Sequence, residues 1–248
     1  MNMKYIIPIK IIKRAVVDLP RDIFAWIRFY LNRGKNNDKS YAVLERDGAQ
    51  PIYGVLDNSD LLLLEQVAEE YDLSAKLNQE GQMRGRVYSQ GLIDVRLREI
   101  TEKLRAIATK YLNSHSVKLE LTYFQLSAPV DDIDSIPGGA FHMDDNKPNI
   151  KFFVYLCDVG EANGPFRVVP YSHGLKFNKL SRYIFWSLLK RRSNLYSGID
   201  TCAQLDADSV KLVGEKGFCF VADTTAWHRA DVVEAGRRLV FVASYNLS

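Results

Sequence analysis

The hydrophobic period of this chain changes once, near residue 112, and that change constrains its fold more than any other feature. Before it, apolar residues recur at every third or fourth position, the spacing of a helix face. In 18–31 an Asp-Leu-Pro opening, a cap followed by an early proline, precedes Ile23, Trp26, Ile27 and Tyr30. In 61–71, Leu61, Leu64, Val67 and Ala68 form one stripe, with Ser59 or Asn58 placed to cap it. The clearest helix is 95–112, with Leu97, Ile100, Leu104, Ile107, Ala108 and Tyr111 in register.

Past residue 112 the pattern becomes that of strands. In 117–126, Val117, Leu119, Leu121 and Tyr123 alternate with Lys118, Glu120 and Thr122, as a half-buried strand requires. Short β-rich runs follow at 150–156, 166–169, 211–213, 217–222 and 239–245. They are separated by turn residues at Pro137-Gly138-Gly139, Asn163-Gly164-Pro165, Gly214 and Ala235-Gly236. Strands without alternating helices indicate an antiparallel sandwich or barrel. The expectation is a mainly β chain with helical additions: one domain over 1–248, mostly helical over 1–113, strand-rich over 114–248, with a helix-like insert at about 175–198.

Composition excludes several classes. With 47% hydrophobic and 25% charged residues the chain is neither disordered nor fibrous. Its 3 cysteines form no CxxC pair, which argues against a disulfide framework and a cysteine-built zinc site. Cys157 and Cys219, both in strand-like runs, are expected as buried thiols, which fits a reducing cytoplasm. No stretch approaches the roughly 18 apolar residues of a membrane span, and Lys10, Lys13 and Arg14 interrupt the apolar start.

Charge is unevenly spread. Residues 1–39 hold nine basic and three acidic side chains, and 175–196 hold six basic and none acidic, so each block carries +6. The net charge is +3, which leaves −9 for the rest and gives no argument for nucleic acid as a partner. The two basic blocks suit contact with an anionic surface, and the aromatic residues among the cations of 175–196 suit either an amphipathic helix over lipid headgroups or an anionic or lipid-linked small molecule, or a core-packing helix with a solvated basic face.

The chemistry is carried by few residues. His142 follows the glycine turn, and in a strand residues i and i+2 share a face, so His142 and Asp144 would present an imidazole and a carboxylate together. Asp145, at i+3, leaves that face. His228 ends a late strand-like run and offers a second imidazole. Two imidazoles and one carboxylate leave positions open on a metal ion, a set suited to non-haem Fe(II) and oxygen. Gly236-Arg237-Arg238 opens an apolar strand, where an inward-facing arginine would bind a carboxylate. A metal with open positions beside such an arginine suits a 2-oxo acid. Arg237 and Arg238 compete for this role, because neighbours in a strand face opposite ways.

The run from His142 to His173 resembles the phytanoyl-CoA dioxygenase family of Fe(II)- and 2-oxoglutarate-dependent oxygenases. The resemblance rests on His142/Asp144, Tyr155-Leu156 with Asp158-Val159, Asn163-Gly164-Pro165 and Pro170 with Ser172-His173, completed by His228 and by Gly236 with Arg238; it spans about 117–248. It implies a double-stranded β-helix (jelly roll), iron held by His142, Asp144 and His228, and the far carboxylate of 2-oxoglutarate on Arg238. It implies a dioxygenase that uses O2, decarboxylates 2-oxoglutarate to succinate and oxidises a C–H bond of a small, lipid-like or sugar-like substrate. Halogenating relatives replace the carboxylate ligand with a small residue, so Asp144 favours hydroxylation. Lys151, which opens the strand after the metal motif, and Gln125 are further candidates for the cosubstrate pocket. Tyr123 and Trp227 read as packing, His173 as a turn residue and His115 as a solvated loop residue. The rival readings are another metal-dependent jelly-roll (cupin-like) enzyme, a non-catalytic binding module on the same fold, and a peripheral membrane protein.

Overall fold

The long strands carry apolar residues on both faces, so each face has to be covered, one by helices and the other by a second sheet. The computed structural model describes Phe24, Ile27, Phe29 and residues 39–73, 86–88, 94–129, 141–144, 148–173 and 199–247. Among these residues, nine strands form two antiparallel sheets. The larger has the order β1 (Ala49–Ile52), β7 (Cys219–Asp223), β4 (Asn149–Tyr155), β9 (Arg238–Leu247), β3 (Val117–Ser127), β2 (Arg86–Tyr88). The smaller has the order β6 (Val210–Leu212), β5 (Phe166–Val168), β8 (His228–Ala230). They are accompanied by helices α1 (Ala42–Asp47), α2 (Asn58–Glu70), α3 (Arg98–Tyr111) and α4 (Ile199–Asp208), and Phe24, Ile27 and Phe29 are helical as well.

Alternation assigns the faces. Ile150, Phe152 and Val154 of β4 and Phe241, Ala243 and Tyr245 of β9 pack with Leu64 and Val67 of α2 and Ile100, Leu104 and Ala108 of α3. The intervening Phe153 and Tyr155, with Val240 and Val242, share a second core with Phe166, Val168 and Leu212 of the smaller sheet. Phe153 stacks on Phe220, with centroids 4.9 Å apart and planes 9° apart. Each buried aromatic of this kind contributes roughly 1.5–3 kcal/mol. Tyr155 is buried here, yet its hydroxyl donates to the Leu212 carbonyl (2.8 Å) and accepts from the Phe166 amide (3.2 Å), so no polar atom is stranded.

The structure departs from the sequence reading in several places. The alternation in β3 slips: pairing with β9 shifts between Leu119 and Leu121, leaving Glu120 as an extra residue. Val117 therefore packs on the helices with Phe124 and Leu126, whereas Tyr123 packs on the inter-sheet core. β1 and β2 arise within the part expected to be mostly helical and pair with β7 and β3. Helix α2 is capped by Asp57, not by Ser59 or Asn58. The Asp57 carboxylate accepts from the Asp60 amide, the Asp60 carboxylate accepts from the Asp57 amide, and Lys103 of α3 reaches Asp60 at 2.6 Å. Of the stripe expected in 18–31, Ile27 is exposed, and the buried residue among those described there is Phe29. The helix-like insert over 175–198 lies outside the described residues. No described helix is long and apolar enough to cross a membrane.

Cys157 is only partly buried, contrary to expectation, whereas Cys219 is fully enclosed. Burial pushes the Cys219 thiol up to about 12. Alkylation requires the thiolate, so at pH 8 Cys219 is expected to remain unmodified by iodoacetamide in folded protein and to react once the chain is unfolded in guanidinium. Peptide mass spectrometry checks this, and rapid native labelling of Cys219 would contradict the packing described.

Candidate metal centre

At residues 141–144 the alternation foreseen in the sequence is present. Phe141 and Met143 share one side and are buried against Val169 and Trp227. His142 and Asp144 lie on the other side and meet His228, whose strand is one edge of the smaller sheet. The main chain fixes this meeting. The His142 amide donates to the His228 carbonyl (2.9 Å), the His228 amide donates to the His142 carbonyl (3.0 Å), and the Asp144 amide donates to the Thr224 carbonyl (3.0 Å).

One ligand atom from each of His142, Asp144 and His228 lies within 4.8 Å of the others. Nε2 of His142 is 3.5 Å from Asp144 Oδ1, and Nε2 of His228 is 3.4 Å from Asp144 Oδ2. His228 Nδ1 is 2.9 Å from the Ala226 carbonyl. A carbonyl only accepts, so Nδ1 carries the proton and the Nε2 lone pair faces Asp144. Burial lowers the His228 pKa despite the neighbouring carboxylate, which keeps the imidazole neutral at pH 7. For Asp144 burial works toward a higher pKa, but the polar groups that face it, the Lys151 ammonium 2.9 Å away among them, outweigh burial and hold the carboxyl well below its usual range. A neutral imidazole and an ionised carboxylate are the protonation states a divalent metal requires.

The turn after β5 supports His228 from behind. Ser172 Oγ donates to the Val169 carbonyl (2.6 Å) and accepts from the Trp227 amide (2.8 Å), fixing the residue before His228. Phe166 stacks along the His228 ring, with centroids 5.3 Å apart. Lys151 faces the same interior, with its Nζ 2.9 Å from Asp144 Oδ2. Burial opposes its charge, yet Tyr123, Asp144 and Glu120 outweigh that and keep it protonated.

Of the two arginines, Arg238 is 3% exposed and Arg237 is exposed. Arg238 shares its strand face with Val240 and Val242 of the inter-sheet core. Its Nη1 donates to the Gly164 carbonyl, and its Nη2 donates to Ser127 Oγ (3.3 Å). Ser127 Oγ also accepts from Gln125 Nε2 (3.0 Å), so Gln125 reaches the arginine through Ser127. The Asn-Gly-Pro turn supports this end of the interior. Asn163 Oδ1 accepts from the Gly160 amide (2.9 Å), and its Nδ2 donates to the Ala235 carbonyl (2.9 Å). Gly164 has φ +71°, and a Cβ there would lie 2.6 Å from the Asp231 carbonyl oxygen, so only glycine fits.

His115 is exposed beyond α3, and His173 lies in the turn near Asp47; neither joins the cluster. Asp145 lies outside the described residues. Trp227 packs, as expected. The sequence reading missed Ser127, although its i+2 relation to Gln125 was visible, and it missed Glu120, whose position depends on the slip in β3.

No protein-family model matches the sequence, and neither does any curated protein. Solved structures do match. AviO1 from Streptomyces viridochromogenes aligns over 85% of this chain and 96% of its own, with 19% identity and a TM-score of 0.58. HygX from Streptomyces hygroscopicus, crystallised with nickel, 2-oxoglutarate and hygromycin B, aligns over 86% and 88%, with 13% identity and a TM-score of 0.58. SnoK, a non-heme alpha-ketoglutarate-dependent carbocyclase from nogalamycin biosynthesis, aligns over 86% and 85%, with 14% identity and a TM-score of 0.60. The chain thus has the double-stranded β-helix fold of these proteins.

Proposed function

We propose that this chain is an Fe(II)- and 2-oxoglutarate-dependent oxygenase that hydroxylates a C–H bond of a small molecule, with His142, Asp144 and His228 as the metal ligands. The observation that carries the reading is the convergence of two imidazoles and one ionised carboxylate within 4.8 Å, in a fold whose interior also holds a buried arginine. The donor set fits a divalent iron with positions left for other ligands. HygX, crystallised with 2-oxoglutarate, and SnoK, an alpha-ketoglutarate-dependent enzyme, support the choice of cosubstrate. The motifs favour the phytanoyl-CoA dioxygenase branch. SnoK is a carbocyclase, so the fold alone does not select hydroxylation; Asp144 favours hydroxylation over halogenation, because it leaves no place for a halide.

Bound iron, with 2-oxoglutarate and O2, would supply the oxidising power that breaks the C–H bond as 2-oxoglutarate becomes succinate and CO2. His228 would offer Nε2 because Ala226 holds its Nδ1 proton, and Asp144 would offer an anionic oxygen. Lys151 balances that charge. Arg238, steadied by Ser127 and Gly164, would hold the far carboxylate of the cosubstrate, with Gln125 acting through Ser127. Phe153, Phe166 and Phe220 wall the interior and keep it dry. The basic segments 1–39 and 175–196, the basis for a cytoplasmic protein touching a membrane surface, lie almost wholly outside the described residues.

Anaerobic addition of Fe(II) and 2-oxoglutarate should produce a weak visible charge-transfer band, absent with either alone. Metal binding without the band would favour a cupin-like enzyme. If neither ion nor cosubstrate binds by calorimetry, the enzyme reading fails and a binding module remains.

A further inference from the structure

The slip in β3 has placed a carboxylate where regular alternation would not. Leu119 pairs with Tyr245 and Leu121 with Ser244, so Glu120 has no partner of its own on β9. Bulges re-aim side chains and are frequent beside active sites. Glu120 Oε2 accepts from Asn149 Nδ2 (3.2 Å) and from Ser244 Oγ (3.3 Å). Asn149 lies two residues before Lys151, and Ser244 is the cross-strand partner of Lys151, so all three occupy the interior face. Thr224, whose carbonyl receives the Asp144 amide, donates through Oγ1 to Asn149 Oδ1 (3.1 Å). One continuous polar wall therefore joins the proposed metal end to Glu120.

We infer that Glu120 recognises an ammonium group on the substrate. Asn149, Ser244 and Thr224 are buried, whereas Glu120 is exposed, so the wall ends in a carboxylate open to an incoming molecule. The two donors on its Oε2 are neutral and leave its charge in place. Lys151, whose charge Glu120 also favours, has its ammonium 2.9 Å from Asp144. A carboxylate only accepts hydrogen bonds, and a charged donor is its strongest partner. An acyl chain laid here would desolvate the Glu120 carboxylate without offering it a charged donor. The anionic substrate suggested by the composition of 175–196 has the wrong sign for this wall. The inference rests on the proposed role of Asp144, because that role puts the reacting carbon beside this wall.

The test uses the full chain loaded with Ni(II) and 2-oxoglutarate. It is titrated in ligand-observed NMR with matched pairs, each an amine and its N-acetyl derivative, built on glucosamine, 2-deoxystreptamine, cadaverine and lysine methyl ester. At least one amine should bind about tenfold more tightly than its acetylated partner, the scale of a charge-assisted hydrogen bond. Glu120→Gln keeps an oxygen for Asn149 and Ser244 and removes the charge, so it should bring that ratio to near one while the melting temperature holds. Glu120→Lys should abolish amine binding. The inference is overturned if no amine binds, if the pairs bind equally to the wild type, or if discrimination survives in Glu120→Gln. Repeating the titration on metal-free Asp144→Ala separates the two readings. Discrimination that persists there stands even without iron, and a charge-transfer band without discrimination removes this inference alone.

Discussion

Asp144→Ala is expected to lower 2-oxoglutarate turnover by at least about three orders of magnitude and to eliminate the Fe(II)/2-oxoglutarate band. The same change should also destabilise the metal-free protein, for a separate reason. Lys151 is 15% exposed and its ammonium sits 2.9 Å from Asp144, so removing the carboxylate leaves a largely buried charge unanswered. Because some solvent reaches the pair, the expected cost is about 2 kcal/mol, or about 4–8 °C in melting temperature for a chain of this size. Asp144→Ala combined with Lys151→Met should recover most of that stability and none of the turnover. Calorimetry and a succinate assay on the three proteins decide the matter. Retained iron binding in Asp144→Ala would remove the proposed ligand set, and unchanged melting would remove the ion pair.

Arg238→Ala should raise the half-saturating 2-oxoglutarate concentration about a hundredfold, in line with loss of one partner of a desolvated charged contact. Arg238→Lys should restore little, because an ammonium cannot bridge Ser127 and the Gly164 carbonyl as a planar guanidinium does. Arg237→Ala should be nearly silent, since that side chain faces solvent. Turnover measured against 2-oxoglutarate concentration checks all three. Equal effects at 237 and 238 would mean that neither holds the cosubstrate.

The parts of the site that follow from strict alternation were legible in the sequence. His142 and Asp144 share a face because they are two apart, whereas alternation left Arg237 and Arg238 as rivals, since Leu239 and Phe241 are as apolar as Val240 and Val242. Glu120 was not legible: one inserted residue inverts the two faces of β3, and Val117 to Tyr123 read equally well without it. Short elements were lost for a different reason. β1, β2 and β8 have four, three and three residues, too few to display a period, and they exist because β7, β3 and β5 offer open edges. The cap on α2 was misplaced because Asp57, Asn58, Ser59 and Asp60 are all competent caps, and Lys103, forty-three residues after Asp60, helps hold the arrangement. Cys157 sits at a strand end rather than within it, where burial is incomplete.

His142 and His228 are tied by reciprocal main-chain bonds, so the backbone itself sets the spacing of the two imidazoles. Metal loading would then cost little rearrangement: the socket is preset by the backbone, and an ion has only to enter it. The proposed oxygenase is therefore expected to keep its fold when a chelator removes its iron and to take the ion up again without refolding, which circular dichroism through a cycle of chelation and reloading checks.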